Sequence, residues 1–376
     1  MELCKTKPAV FAVGETYQIM VPVKEACLMW VQVGGQCYYD EWQGILRSDT
    51  AVHRMILPMK VLDEAGEYIL CARKIVARKP YFTETSAAET ESFRFFPIRE
   101  DQEKINIYHI ADAHSFVEPV VKAAAWFSGH PDLLVMNGDI PNHSGMTEYF
   151  DNIYRIAERV TGGEVPVIFA RGNHDCRGTY AERMGEYIPL DGQNTYYTFR
   201  LGPIWGLVLD CGEDKMDDHE EYGHTVCFHS FRRKETEFLR RVGETCLNER
   251  EDGVRYRLVV VHNPFTRVLE PPFDIERNIY QEWAKILQEQ IRPDMMLCGH
   301  LHETAVYEAG GEMDHLGQPC SVVIGAKPLC LKQKERNEEE KEYIGTACIL
   351  EHGEIQICFT DSDKKVRGIP YKIRCR

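Results

Sequence analysis

Apolar residues change their rhythm near residue 100. Before it they come in short or alternating runs, at 17–23, 27–33, 52–58, 67–72 and 92–96, divided by turn material such as Gly34-Gly35 and Glu64-Ala65-Gly66. Runs of this length between turn signals predict strands, and several in succession predict a small all-β sandwich of the fibronectin or immunoglobulin type. No stretch of residues 1–100 carries a helical period. Residues 98–104, with five charged positions, read as a linker.

From residue 105 the pattern becomes strand, loop, helix. Apolar runs at 105–110, 133–136, 165–170, 204–209, 258–261 and 295–298 alternate with helical patterns at 117–127, 146–160, 232–247 and 278–291. In the last of these, Ile279, Trp283, Ile286, Leu287 and Ile291 recur at spacings of three and four, which places them on one face. Strands alternating with helices predict an α/β core over residues 105–376. Beyond 305, strand-like runs at 321–324, 346–350 and 354–359 are expected to complete a second sheet. The charged run at 332–342 is expected to be a solvated loop or a short exposed helix.

Length and charge narrow the function. The 376 residues suffice for two domains, taken as 1–100 and 105–376, because single cores stop growing at ~250–300 residues. A net charge of −15 repels polyanions, so general binding to nucleic acid or to an anionic membrane is not expected, while a small phosphorylated substrate remains open. No run approaches the ~20 apolar residues of a membrane span. The first 23 residues interrupt their apolar positions with Lys5, Lys7, Glu15 and Gln18, unlike a secretory signal. Fourteen cysteines are scattered without C-x-x-C spacing and are expected to be reduced thiols, which fits a cytoplasmic protein of undetermined oligomeric state.

Five polar clusters each follow a buried strand. They are Asp112-Ala113-His114, Gly138-Asp139, Gly172-Asn173-His174-Asp175, His262-Asn263 and Gly299-His300-Leu301-His302. Taken singly each has an ordinary explanation: Gly-Asp is turn chemistry, and His262 alone would be a strand-end histidine. Ligands in α/β sheets bind beyond the carboxyl ends of strands, so all five would converge on one rim. Carboxylates, an amide oxygen and imidazoles, with no thiolate, suit Mn, Fe or Zn. Two ions ~3.5–4 Å apart need a shared carboxylate, for which Asp139 is expected, and water held between them would become the nucleophile near neutral pH.

The ordered set DAH, GD, GNHD, VVHN and GHLH resembles the calcineurin-like metallophosphoesterase superfamily from about residue 105 to at least 302. The resemblance implies two packed mixed β-sheets flanked by helices. It implies one metal held by Asp112, His114, Asp139 and His302, and a second held by Asp139, Asn173, His262 and His300. It makes His174 the residue that contacts the phosphate and protonates the leaving group, with Asp175 as a candidate to orient it. Purple acid phosphatases share the order of β-sandwich then catalytic core, but carry glycine where His114 stands and a tyrosine ligand where this chain has Asn142.

The expected function is therefore hydrolysis of a phosphomonoester or phosphodiester by a dinuclear metal centre. The alternatives are a non-catalytic scaffold or binding protein that uses the β-sandwich, and a protein phosphatase. A complete ligand set argues against the first. The sequence GDIPNHS at 138–144, in place of an arginine-containing block, argues against the second. Asn142 and His143 would either touch substrate or form a polar turn. Residues 213–230 would be either a lid or a solvated loop. Cys176 is either redox-sensitive or a passive thiol, and Arg171 and Arg177 either reach a phosphate or lie on the surface.

Overall fold

In the computed structural model, which describes residues 1–249, 253–332 and 339–375, the alternation along the chain becomes two large sheets packed face to face. The first has ten strands. From one edge they run Val366–Arg374, Glu354–Asp361, Glu339–Glu351, Lys104–Ile110, Leu133–Asn137, Pro166–Ala170, Ala9–Val13, Thr16–Pro22 and Val52–Pro58, with Lys327–Lys332 also paired to Glu339–Glu351. The second has six, in the order Tyr197–Leu201, Ile204–Leu209, Tyr256–Val261, Met295–Cys298, Ser321–Gly325 and Thr304–Tyr307. Both are parallel at the centre and antiparallel at their edges.

Period two explains why the central strands read as unbroken apolar runs. Ile105, Ile107, Leu133, Val135 and Ile168 of the first sheet meet Val208, Leu258, Val260 and Leu297 of the second in one shared core. The residues between them point outward. Tyr108, Ile110, Leu134 and Met136 pack beneath Val120, Ile153 and Ile156 of helices Val117–Ala124 and Asp151–Thr161. Leu207, Val259, Val261 and Met296 pack beneath Leu239, Trp283 and Leu287, carried by helices Phe228–Glu249 and Arg277–Ile286 and the π turn that follows. Both faces of each central strand are thus covered, as parallel sheets require. Each buried aliphatic or aromatic side chain contributes about 1.5–3 kcal/mol to holding these layers together.

The first hundred residues are β-rich as expected. Glu89–Arg94, Glu67–Ala77, Cys27–Val33 and Gln36–Tyr39 form a separate sheet with the short strand Glu84–Thr85. Its inner residues Met29, Val31, Leu70 and Phe93 join the same core as Ile105 and Leu133. Ala9–Val13, missed in the sequence, runs parallel to Pro166–Ala170, so three N-terminal strands continue the ten-stranded sheet. One helical turn pair, Met59–Ala65, also departs from expectation. It buries Met59 and Leu62 and stops at Gly66, whose φ of 64° provides a left-handed cap.

The tail is divided differently from the sequence reading. Ser321–Gly325 completes the six-stranded sheet, but Glu339–Glu351 and Glu354–Asp361 pair with Lys104–Ile110 and extend the other one. Of the charged run at 332–342, residues 333–338 lie outside the described residues, and its flanks belong to strands Lys327–Lys332 and Glu339–Glu351 rather than to a loop or helix. The twelve cysteines whose side chains are described are free thiols. Among the described residues no helix is long and apolar enough to cross a membrane.

Candidate metal centre

The parallel strands of both sheets end at one rim, and all five polar clusters lie there. Among the described residues, six of the twelve non-glycine positions with positive φ belong to these turns: Asp112, His114, Ser115, Asp139, His300 and His302. L-residues in that region are strained, and such strain collects where side chains must be aimed rather than packed. The turns are tight enough to demand glycine at two points. A Cβ on Gly138, which has φ of 79°, would stand 2.6 Å from His262 Nδ1, and one on Gly172 would stand 2.2 Å from Asp139 Oδ1.

The rim brings together the residues named from the sequence. His114 Nε2 and His302 Nε2 are 3.0 Å apart, and Asp112 Oδ1 is 3.3 Å from the latter. His262 Nε2 lies 3.2 Å from Asp139 Oδ2 and 3.7 Å from Asp112 Oδ1. His300 Nδ1 stands 3.0 Å from Asn173 Oδ1. Three overlapping groups have ligand atoms within 4.8 Å of one another: Asp112 with His114 and His302, His114 with Asp139 and His174, and Asp112 with Asp139 and His262. Asp112, Asp139 and His262 form a buried floor, while His302 is exposed, so the centre is open on one side.

These residues fit a pair of divalent ions. Imidazole nitrogens and carboxylate oxygens at van der Waals separation, with hard and borderline donors and no thiolate, are the donor set of such a centre. Burial pulls His114 down to about 4 despite the Asp139 and Asp112 charges, and burial with the His262 charge does the same to His300, so both are unprotonated, as ligands must be. Burial also opposes charge on His262, but Asp139 and Asp112 outweigh it and raise the group to about 10. Burial pushes Asp139 up, yet His262, His174 and His114 hold it well below the usual carboxylate range. The Asn173 amide has two settings. With Oδ1 toward His300 it faces Asp139 as a cation would require; turned over, its nitrogen would donate to Asp139 Oδ2 at 3.3 Å and its oxygen would accept from Arg177 at 3.1 Å.

Around this floor the sequence reading needs amendment. Asp175 does not orient His174. Its Oδ2 accepts from the backbone N–H of Gly172 at 2.8 Å and of Asp139 at 3.1 Å, tying the turns that carry Asn173 and Asp139 together. Burial, then the Asp139 charge, raises this carboxyl to about 8. His174 is oriented instead by the carbonyl of Asn142, which accepts from Nδ1 at 2.9 Å, and its Nε2 lies 3.4 Å from Arg177 Nη1. Asn142 thus acts through its backbone. The His143 ring accepts from Gly145 N at 2.9 Å and packs edge-on against Tyr149, within its own turn.

Arg171 is spent on Asp210 at 2.7 Å and lies over Phe228 and Phe231, so it does not reach the rim. Burial pushes the Cys176 thiol up, which keeps it a passive group. The start of the 213–230 segment is neither lid nor solvated loop: Glu213, Asp214 and Lys215 are buried. Asp214 Oδ2 lies 3.4 Å from Asn173 Nδ2. Asn137, whose carbonyl accepts from His262 Nδ1 at 2.7 Å, was missed altogether. Its signal was an amide closing an otherwise apolar strand.

A model of the calcineurin-like phosphoesterase family matches residues 105–304. The chain belongs to that family. This calcineurin-like phosphoesterase is therefore a metal-dependent hydrolase of phosphate esters, and its metal-type residues lie where the strands of the matched region end. Among solved structures it is similar to a purple acid phosphatase from yellow lupin (Lupinus luteus) seeds, with a TM-score of 0.63 at 11% identity, over 99% of this chain and 75% of that one. It is also similar to PhoD, with a TM-score of 0.53 at 9% identity, over 96% and 88%. At such identities the likeness is one of fold, and it extends across the N-terminal β region of the phosphoesterase. No curated protein matches the sequence.

Proposed function

We propose that the chain hydrolyses a small phosphate ester on a dinuclear centre, with one ion on Asp112, His114, Asp139 and His302 and the other on Asp139, Asn173, His262 and His300. The observation that carries this reading is the position of Asp139, whose carboxylate has His262 Nε2 at 3.2 Å and shares a ligand cluster with His114. When bound, a pair of divalent ions supplies Lewis-acid charge and activates water for attack on phosphorus. Mn, Fe and Zn all suit the donors.

The chain's own residues supply orientation and a proton. The backbone N–H of His174 donates to Asp139 Oδ1 at 2.8 Å, which fixes the carboxylate and the histidine relative to each other. With Nδ1 held by the Asn142 carbonyl, His174 presents Nε2 to the leaving oxygen and serves as general acid. The division at 1–100 and 105–376 belongs to this reading too, with the first part bracing the sheet that carries Asp139 and Asn173. A surface of net charge −15 disfavours nucleic acid and anionic membranes as partners, and free thiols suit the cytoplasm.

The test is turnover of p-nitrophenyl phosphate and bis-p-nitrophenyl phosphate by metal-stripped protein refilled with manganese. Activity restored by metal with two ions per chain supports the reading. Two bound ions with no turnover of either ester would overturn it in favour of a scaffold.

A further inference from the structure

Arg177 stands beside His174 in a setting that the metal ligands do not account for. Its Nε donates to Glu213 Oε1 at 2.8 Å, and its Nη2 donates to Glu213 Oε2 at 2.8 Å and to Asp214 Oδ1 at 3.0 Å. The Tyr222 hydroxyl reaches the same two carboxylates at 3.1 and 3.3 Å. A fork-to-fork pair with a carboxylate only 1% exposed fixes the plane of the guanidinium as well as its place. Nη1 is left to face His174 Nε2, at 3.4 Å. The nitrogen aimed at the reacting group and a rigidly held cationic donor therefore share one space. Arg177 also lines, with Thr179, Glu182, Glu213, Tyr222 and Thr225, an open cavity of about 660 Å³.

We propose that Arg177 contacts the substrate, its Nη1 donating to a phosphoryl oxygen on the leaving-group side, and that this contact makes the enzyme prefer phosphomonoesters. The inference rests on the placement of His174 given above. The physical reason for the preference is charge. A monoester dianion brings an ionised oxygen beyond those that face the metals, whereas in a diester one of these oxygens is esterified and can only clash with or ignore the guanidinium. Glu213, Asp214 and Tyr222 are then positioning residues, and the 213–222 segment exists to hold Arg177.

The test is the ratio of kcat/KM for p-nitrophenyl phosphate to that for bis-p-nitrophenyl phosphate, measured on manganese-loaded wild type, Arg177→Gln, Arg177→Lys and Tyr222→Phe, with orthophosphate as inhibitor. Wild type is expected to favour the monoester. Arg177→Gln should lower monoester kcat/KM by about 10²-fold, the cost of losing one preorganised donor, and weaken orthophosphate by about tenfold or more at unchanged metal content. Diester turnover should fall far less, Arg177→Lys should restore part of the ratio, and Tyr222→Phe should shift it weakly in the same direction. An equal loss on both esters marks a purely structural arginine and overturns the proposal, as does a wild-type preference for the diester. If Arg177→Gln does not fold, Tyr222→Phe with an unchanged ratio overturns it. Wild type that binds two metals but neither hydrolyses an ester nor binds orthophosphate would defeat the functional reading itself, an outcome distinct from turnover with an unchanged ratio.

Discussion

His262 donates through Nδ1 to the backbone carbonyl of Asn137 at 2.7 Å. With Nδ1 committed to that carbonyl, Nε2 is the ring nitrogen that faces Asp139 Oδ2 and the one a metal would take in place of a proton. Outer partners of this kind fix both tautomer and ring plane of a metal-binding histidine. The residue that provides the carbonyl is itself pinned by its side chain. Asn137 Nδ2 lies 2.9 Å from the Leu297 carbonyl, 3.3 Å from that of Val261 and 3.0 Å from His109 Nε2. One fully buried amide thus ties the end of a first-sheet strand to two strands of the second, beneath the candidate metal ligands.

Asn137→Ala should leave the carbonyl, and so the His262 tautomer, in place while deleting the tie between sheets. It deletes the hydrogen bonds from Nδ2 to the Val261 and Leu297 carbonyls. The expected loss is about 1–3 kcal/mol of stability, at ~0.5–1.5 kcal/mol for each buried hydrogen bond removed. Urea unfolding of the variant checks this. Metal affinity should fall less than stability, and a variant as stable as wild type would mean that the sheets are held in register without Asn137.

Asp139→Asn changes one oxygen of a buried carboxylate to a neutral donor beside His262 and His174. The amide can still accept from the His174 N–H, so the fold should persist. Both ions should weaken together, and turnover should vanish. Metal analysis after dialysis separates the outcomes: loss of one ion alone, or two ions with near-normal turnover, contradicts a bridging position.

Much of the rim was legible in the sequence because each candidate ligand ends a buried strand. A polar side chain after an apolar run has few explanations, and parallel strands deliver them to one rim. Asp112, His114, Asp139, Asn173, His262, His300 and His302 all arrived there on that logic. The misses have a different physical origin. The orientation of His174 comes from a backbone carbonyl of Asn142, which no residue type advertises. Arg177 and Glu213 are joined across 36 positions, a separation invisible to periodicity. Ala9–Val13 pairs with Pro166–Ala170 in the same way, so the N-terminal strands read as a self-contained sandwich when three of them continue the catalytic sheet.

A pH dependence of stability is expected from the N-terminal part, away from the metals. Burial raises the Asp63 carboxyl to about 6, more than the hydrogen bond from Tyr17 lowers it. The Tyr17 hydroxyl donates to Oδ1 at 2.9 Å and remains a donor to a neutral group. Because the folded pKa exceeds the unfolded value of ~3.9, the native state binds the proton more tightly. Stability from this site is full below about pH 4 and is lost as pH rises to about 6. Asp63→Asn should therefore stabilise the protein at pH 7 by about 1–2 kcal/mol after allowance for solvent, seen as a higher melting temperature, and change it little at pH 4. Equal effects at both pH values would show that the carboxyl ionises normally.

His174→Ala removes the proposed general acid while sparing every proposed metal ligand. Its backbone N–H still holds Asp139. A general acid matters in proportion to the basicity of the departing oxygen, since a good leaving group departs as an anion unaided. Turnover of alkyl phosphates should fall by ~10²–10⁴-fold, and that of p-nitrophenyl phosphate by much less. A series of aryl and alkyl phosphates, plotted as log kcat/KM against leaving-group pKa, should therefore steepen in the variant. Parallel lines for the two proteins would assign His174 to binding the phosphoryl group and not to proton transfer. In that case the proton must come from water, because within the Arg177, Glu213 and Asp214 network beside it the arginine has no proton to spare near neutral pH and the carboxylates are bound as acceptors.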